Sequence, residues 1–415
     1  MESRAHAGTV STTTDGIAAP ALPQTRHALG SPGYRRATVA LFAAGMTTFM
    51  ALYYVQALLP HLSEHFGTSP TTSALAVSLT TGFLAIAIIP ASVASERFGR
   101  VRVMVISAVA ASAIGVVLPW SPSIDVLLAG RALQGVLCAG VPAVAMAYLA
   151  EEVEGRSLGT AMGRYVAGTT IGGLVGRLIP GFAVDVMSWQ WALEIACLAS
   201  LGFALLFWRT IPASRFFTPR RVSPSVTARN LLSHLADRRL LPLFLIGFVL
   251  MGGFVTVYNY LTYRLLQSPF DLGEAVIASI FFMYLAGTAS SALAGRLADR
   301  IGRRTVLAAS IVVMLTGLGV TVPEHLWSVL VGMFLFTAGF FGAHSVASGA
   351  VSARATTHRA EASSLYLFHY YLGSSVVGAV GGLVFSSFGW SGVAVFVGVL
   401  GAVGLGLAMV RSETI

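Results

Sequence analysis

Lysine is missing from this chain of 415 residues: all 26 basic residues are arginine. A GxxxxGK[ST] phosphate-binding loop therefore cannot occur, and no nucleotide is expected as an energy source. Charge of either sign is scarce. Charged residues make up 10% of the chain, against about 25% for a soluble domain, too few to coat a water-facing shell. Cysteine is nearly absent. Cys138 and Cys197 both lie inside apolar runs, where they behave as small hydrophobes, so a disulfide-built secreted scaffold is excluded. No HExxH sequence and no His/Asp pair at one interface is present, which leaves a polytopic membrane enzyme as a distant alternative and gives no metal site or cofactor.

What is there is apolar. Hydrophobic residues account for 55% of the chain and mean hydropathy is +0.78, so the solvent is lipid. Runs long enough to cross a bilayer lie near 37–60, 71–93, 102–119, 125–150, 158–184, 191–208, 241–264, 273–295, 305–322, 326–351, 361–386 and 392–410. These are spans 1 to 12 below. Residues 1–36 are polar and rich in Pro, Gly and Thr, without the apolar core of a signal peptide, and read as a disordered cytoplasmic tail. Residues 209–240 read as a flexible cytoplasmic linker and 411–415 as a cytoplasmic end.

An even number of spans puts both termini on one side. That side, with the linker, holds 23 of the 26 arginines, while the opposite loops carry Glu64, Asp125, Asp185, Asp271, Glu274 and Glu324. Arginine excess marks the cytoplasmic face. The net charge of +9 is thus a topology signal, and no nucleic-acid partner is expected.

The chain repeats itself. SVASERFGRVR (92–102) follows span 2 and GRLADRIGRR (295–304) follows span 8, with Glu96 and Asp299 in the same place. YVAGTTIGGLVGR from Tyr165 in span 5 matches YYLGSSVVGAVGG from Tyr370 in span 11, and Pro119 matches Pro323. All three offsets are between 203 and 205 residues. Two six-helix halves, 37–208 and 241–410, are expected, joined by the linker.

Twelve spans in two halves with GxLaDRxGRR after spans 2 and 8 resemble the major facilitator superfamily, over about residues 37–410. The second loop matches at every defined position. The first departs at Ser92, Glu96 and Val101. LAGRALQG (128–135) is similar to the family's arginine motif in span 4. GTTIGGLVG (168–176) is similar to the antiporter motif of span 5, with Gly173 where that motif has proline. GFFGAHSVAS (339–348) and SSLYLFHYYLGSS (363–375) resemble the bacterial drug:proton antiporter or arabinose-efflux-like branch. The resemblance implies an all-α membrane transporter working by alternating access, monomeric, with a small-molecule substrate and the bilayer as its partners.

The paired loops supply a first set of candidates: Glu96, Arg97, Gly99 and Arg100, and Gly295, Asp299, Arg300, Gly302, Arg303 and Arg304. A carboxylate there can cap the positive N-terminus of a neighbouring helix; repeat symmetry points Glu96 at span 11 near Glu361 and Asp299 at span 5 near Ser157. The resemblance makes this a cytoplasmic latch, whereas a basic turn that only sets topology is the plainer alternative. Glu151 and Glu152 are candidate partners for Arg97 and Arg100.

Arg131 and Arg177 form a second set, each about two turns inside its span. A mid-span arginine costs about 2.5–3.5 kcal/mol on insertion scales and marks a cavity or pathway unless it snorkels to the interface. Arg131 is followed one turn later by Gln134 and Gly135, with Asp125 and Glu194 as the nearest acids; Glu194 or Asp185 could instead neutralise Arg177 as a structural pair. His344 and His369 lie within spans 10 and 11 and could carry a proton, or sit as neutral hydrogen-bonders. Small residues at four-residue spacing (Gly168, Gly172 and Gly176, with Gly173 beside them; Ser374, Gly378 and Gly382, with Gly381 beside them) let helices approach closely, and the resemblance places span 5 at the interface between halves. Tyr258, Asn259, Tyr366 and Tyr370 are candidate lining of a substrate cavity suited to an amphipathic organic molecule. Proton-driven export is the leading expectation; proton-coupled uptake of an organic acid or sugar is the alternative.

Overall fold

A computed structural model of the chain describes residues 26–219 and 224–410. It is all helix apart from short connections. Span 1 runs Pro32–His65, span 2 Pro70–Phe98, span 3 Arg100–Trp120, span 4 Ile124–Glu152, span 5 Gly155–Ala183 and span 6 Trp189–Thr210. Then come span 7 (Leu241–Leu265), span 8 (Glu274–Ile301), span 9 (Arg303–Val320) and span 10 (Leu326–Arg354). The last helix, Arg359–Met409, is unbroken in hydrogen bonding except at Gly389, whose backbone (φ 61°, ψ −155°) only glycine adopts readily. The chain reverses there. Trp390 donates from Nε1 to the Thr321 hydroxyl at one end of the bundle, and the Met409 carbonyl accepts from Arg304 at the other. Residues 359–388 and 390–409 are therefore spans 11 and 12.

The helix starts follow from local chemistry. Ser31, Ser69 and Ser123 each accept a hydrogen bond from the backbone N–H three residues on, and Pro32 and Pro70 occupy first-turn positions where no N–H is needed. The repeat is visible in backbone geometry. Gly99 (φ 98°, ψ 143°) and Gly302 (φ 91°, ψ 140°) turn the chain identically between spans 2 and 3 and between spans 8 and 9.

Two boundary expectations need correction. Residues 1–25 and 411–415 lie outside the described residues, but 26–36 are not a disordered tail: span 1 starts at Pro32, and His27 pairs with the end of span 4, donating to the Glu152 carbonyl at 2.8 Å and accepting from Glu154 at 3.2 Å. Nor is the linker plain coil. Its first part is held by Glu152, whose carboxylate accepts from the backbone N–H of Arg215 (2.6 Å) and of Phe216 (3.0 Å), and a helix follows at Pro224–Ala236. Beside this clamp, burial and the Arg215 charge hold the His27 imidazole below its usual pKa.

The span 5 glycine row packs within its own half. A Cβ at Gly168, Gly172 or Gly176 would meet the backbone of span 1 at Phe42, Met46 and Met50, so span 5 lies directly on span 1. Gly373 puts span 11 on the backbone of span 7 at Phe248, and Gly381 faces the Thr256 side chain. That corrects the placing of the span 5 row at the interface between halves. Gly378 and Gly382 do face the other half, towards Ser78 and Thr71 of span 2.

The halves meet through span 2 on span 11 and span 5 on span 8. Among the described residues, hydrogen bonds and ion pairs between the two halves occur only at mid-depth or on the side away from the linker, here termed the far side. They are Thr71–Ser386 (3.4 Å), Ser63–Tyr263 (2.7 Å), His61–Glu274 (3.1 Å), Asp185 with the Ala275 N–H (3.4 Å), and Gln56–Asn259 (2.6 Å). Towards the linker side, Gly159 and Gly163 of span 5 and Gly295 of span 8 have no atom within reach of a Cβ. Bonding between the halves is thus confined to mid-depth and the far side, and we infer that the bundle is closed on the far side and parted on the linker side.

Candidate translocation site

Arg177 of span 5 lies where the halves meet and is 2% exposed. Its Nε donates to Oε1 of Gln56 at 2.6 Å, and Nη1 donates to the Gly173 carbonyl one turn back at 2.5 Å. Gln56 donates in turn from Nε2 to Oδ1 of Asn259. Arginine can only donate, so Gln56 must give it the amide oxygen and spend its nitrogen on Asn259, which fixes the orientation of both amides. A polar chain thus runs from span 5 through span 1 to span 7. It leaves Nδ2 of Asn259 buried without a partner.

Three rings surround the Arg177 guanidinium, with centroids at 4.1 Å (Tyr53), 4.8 Å (Tyr284) and 5.3 Å (Phe281). The first belongs to one half and the other two to the other half. No carboxylate among the described residues forms an ion pair with it. The two expected partners are elsewhere: Glu194 accepts from Trp120 Nε1 at 3.1 Å, and Asp185 caps span 8. Arg177 is a buried cation neutralised only by dipoles and aromatic faces.

Arg131, expected to mark a cavity or pathway with Asp125 or Glu194 nearby, has a different environment. It is fully buried. Nε donates to the Ala76 carbonyl (2.8 Å), Nη1 to the Ala51 carbonyl (2.8 Å) and to Gln134 Oε1 (2.5 Å), and Nη2 to the Leu52 carbonyl (2.7 Å). The Tyr54 ring lies 4.8 Å away. Gln134 donates onward to the Ala111 carbonyl at 2.8 Å. One side chain thereby ties spans 1, 2 and 4 together, and little of its hydrogen-bonding capacity remains for a ligand. Asp125 is exposed at the start of span 4 and is not its partner.

His344 faces span 11, with Nδ1 2.9 Å from the Tyr366 hydroxyl and the Tyr370 ring 4.6 Å away. His369 bonds its own helix at the Leu365 carbonyl and stacks on Phe244. Of the expected cavity residues, Tyr370 is half-buried, Tyr366 is bonded to His344, and Tyr258 is closed into its own half by a 2.7 Å bond to Thr337.

The paired loops do not reach the opposite half in this form. Glu96 accepts from Arg100 Nη2 at 2.7 Å, and Arg100 also binds Glu151 and Ser95, all within one half. Span 11 is therefore not capped by Glu96 here. Arg97 lies over its neighbour Phe98 and takes no acid partner, and Glu152 serves the linker. Asp299 and Arg300 are exposed and form no hydrogen bond or ion pair among the described residues.

Two important residues, Gln56 and Arg264, escaped the sequence reading, and a third, Glu152, has another partner than expected. Gln56 carries no charge, although its 203-residue offset from Asn259 was available. Arg264 donates to the Thr321, Val322 and Pro323 carbonyls and so caps the negative C-terminus of span 9; its place at the end of an apolar run hid it.

The comparisons agree with this architecture. The family model described as Major Facilitator Superfamily matches residues 41–291 and again 262–414. The chain is 43% identical over 364 residues to the uncharacterized MFS-type transporter YybF of Bacillus subtilis, covering 88% of this chain and 90% of that one. It is 42% identical over 372 residues to the inner membrane transport protein YnfM of Escherichia coli, covering 89% of each. Among solved structures, a bacterial homologue of the human lysosomal transporter Spinster, inward-facing and occupied, superposes with a TM-score of 0.71 at 14% identity, covering 91% of this chain and 96% of that one. Twelve spans in two repeated halves, the paired glycine turns, a duplicated family match and two relatives aligned almost end to end lead to one assignment: this multi-pass membrane protein is a transporter, and it belongs to the Major Facilitator Superfamily.

Proposed function

We propose that this protein is a secondary active transporter for a small amphipathic organic anion, exporting it in exchange for protons with the linker side facing the cytoplasm. The observation that carries this reading is Arg177: a permanent charge, buried between the halves, ringed by Tyr53, Tyr284 and Phe281, and without a carboxylate. A buried cation without an acid is costly. An incoming carboxylate or sulfonate would supply the missing charge through a bidentate pair, and the surrounding rings suit an apolar or unsaturated body. Closure on the far side and parting on the linker side make this the form that receives substrate from the cytoplasm. Arg177 suits a carboxylate moving either way, so proton-coupled uptake of an organic acid is the second reading.

The test is transport by purified protein in proteoliposomes under an imposed pH gradient, with a panel of aromatic and aliphatic acids, neutral amphiphiles and amphipathic cations. Accumulation of acids, lost in Arg177→Gln, supports the proposal, and the direction of accumulation separates export from uptake. Equal transport of cations by wild type and Arg177→Gln would overturn it.

A further inference from the structure

We propose that the lipid-facing surface of span 3 holds one anionic phospholipid. On the linker side, between the start of span 3, the end of span 6 and the first part of the linker, lies a cavity of about 940 Å³. Arg97 and Arg102 stand at its rim, and Val105, Ile106 and Trp208 line it below. Ile106 and Trp208 are each 57% exposed, which in this chain means exposed to acyl chains. Along span 3 the lining residues 102, 105, 106, 109 and 110 recur at helical spacing, so one face carries an arginine at the membrane surface and apolar side chains for roughly 10 Å beneath it. That matches the order of charge and hydrocarbon in a phospholipid.

The charge complementarity is specific to two arginines. Arg100, between them, is taken by Glu96 and Glu151. Neither Arg97 nor Arg102 forms an ion pair among the described residues, and both are exposed. Two such guanidiniums recognise a phosphate better than a zwitterionic headgroup, whose own cation they would repel. Ser214 also lies in the lining.

Native mass spectrometry of the full chain, released from nanodiscs containing equal phosphatidylglycerol and phosphatidylcholine, tests the inference. The wild type should retain one phosphatidylglycerol at least tenfold over phosphatidylcholine. Arg97→Gln/Arg102→Gln should abolish the preference, and Ile106→Trp, which fills the apolar part, should reduce retention of both lipids. Melting temperature and monodispersity report whether each variant is folded; the wild-type comparison needs no variant at all. Equal retention of the two lipids by the wild type would overturn the site. Displacement of the bound lipid by millimolar inorganic phosphate alone would also overturn it, since the apolar wall would then contribute nothing.

Discussion

Gln56 and Asn259 stand 203 residues apart and touch at 2.6 Å. Glu96 and Asp299 are separated by the same number, so the pair occupies one repeat position in each half, brought face to face at the seam. Two equivalent residues can meet only near the pseudo-twofold axis. The contact is also the inner end of the far-side closure that continues through Ser63–Tyr263 to Thr71–Ser386. Cysteines placed at Thr71 and Ser386 should therefore cross-link on oxidation and stop transport until reduced; Cys138 and Cys197 are buried and do not interfere. Full activity of the cross-linked protein would show that this seam does not open in the cycle.

Arg131→Ala is expected to fail in assembly before it fails in transport. The change leaves the carbonyls of Ala51, Leu52 and Ala76 and the Gln134 oxygen without their donor. Hydrogen bonds to a charged group contribute about 1.5–3 kcal/mol each, and partial relaxation still leaves a loss of several kcal/mol. Arg131→Lys has too few donors in the wrong geometry to replace the fork. Detergent-extracted Arg131→Ala should elute as aggregate or melt at least about 10 °C lower; a monodisperse protein with wild-type melting and no transport would restore a direct role in the cycle.

Asp299→Asn should do the reverse. Asp299 is exposed and has no partner among the described residues in this far-side-closed form, so the melting temperature should stay within a degree or two of wild type. If the loop latches to span 5 when the linker side closes, the substitution weakens only that other state. Transport should fall several-fold while labelling of a cysteine at Gly159, in the parted region, rises. Wild-type transport and labelling in Asp299→Asn would reduce the loop to a topology signal.

How far the sequence could be read depended on what each feature rests on. Spans, halves and paired turns follow from hydropathy and repetition, and all of them appear in the fold. Gly99 and Gly302 show why: one backbone conformation demands one residue type at each repeat position. Side-chain partners were far less legible. Arg131 and Arg177 look alike as lone arginines two turns into a span, yet one is saturated by carbonyls and the other is ringed by aromatics from both halves. Spacing within a helix cannot report which neighbouring helix supplies a carbonyl. Burial of the linker on Glu152 was hidden for a related reason: the bonds are to backbone N–H groups, which have no sequence signature.

Orientation in the membrane is tested outside the bundle. The 23 arginines on the linker side lead, by the positive-inside rule, to the expectation that both termini and the linker helix are cytoplasmic. A cysteine at Ser233 should resist impermeant thiol reagents in intact cells and react once the membrane is opened. One at Asp271, in the connection between spans 7 and 8, should react in both. The opposite pattern would invert the protein and the direction of the proposed export.

For the proton exchange proposed above, we propose His344 as the carrier within the bundle. Glu194 is held by Trp120, and Glu274 lies at the far-side rim beside His61, so neither acid lines the parted interior. His369 is bonded to its own helix and stacked on Phe244. His344 remains, half-buried, with one nitrogen on the Tyr366 hydroxyl and Tyr370 beside its ring, and an imidazole can gain or lose a proton between the two exposures of the site. His344→Gln keeps a hydrogen-bonding group opposite Tyr366 but cannot take up a proton. The variant should still bind substrate and equilibrate it down a gradient, while accumulation driven by an imposed pH difference drops at least tenfold. Substrate-dependent acidification or alkalinisation of the vesicle lumen, followed with a pH dye, should vanish in parallel. Undiminished pH-driven accumulation in His344→Gln would remove histidine from the coupling step and leave the proton to a group outside the bundle interior.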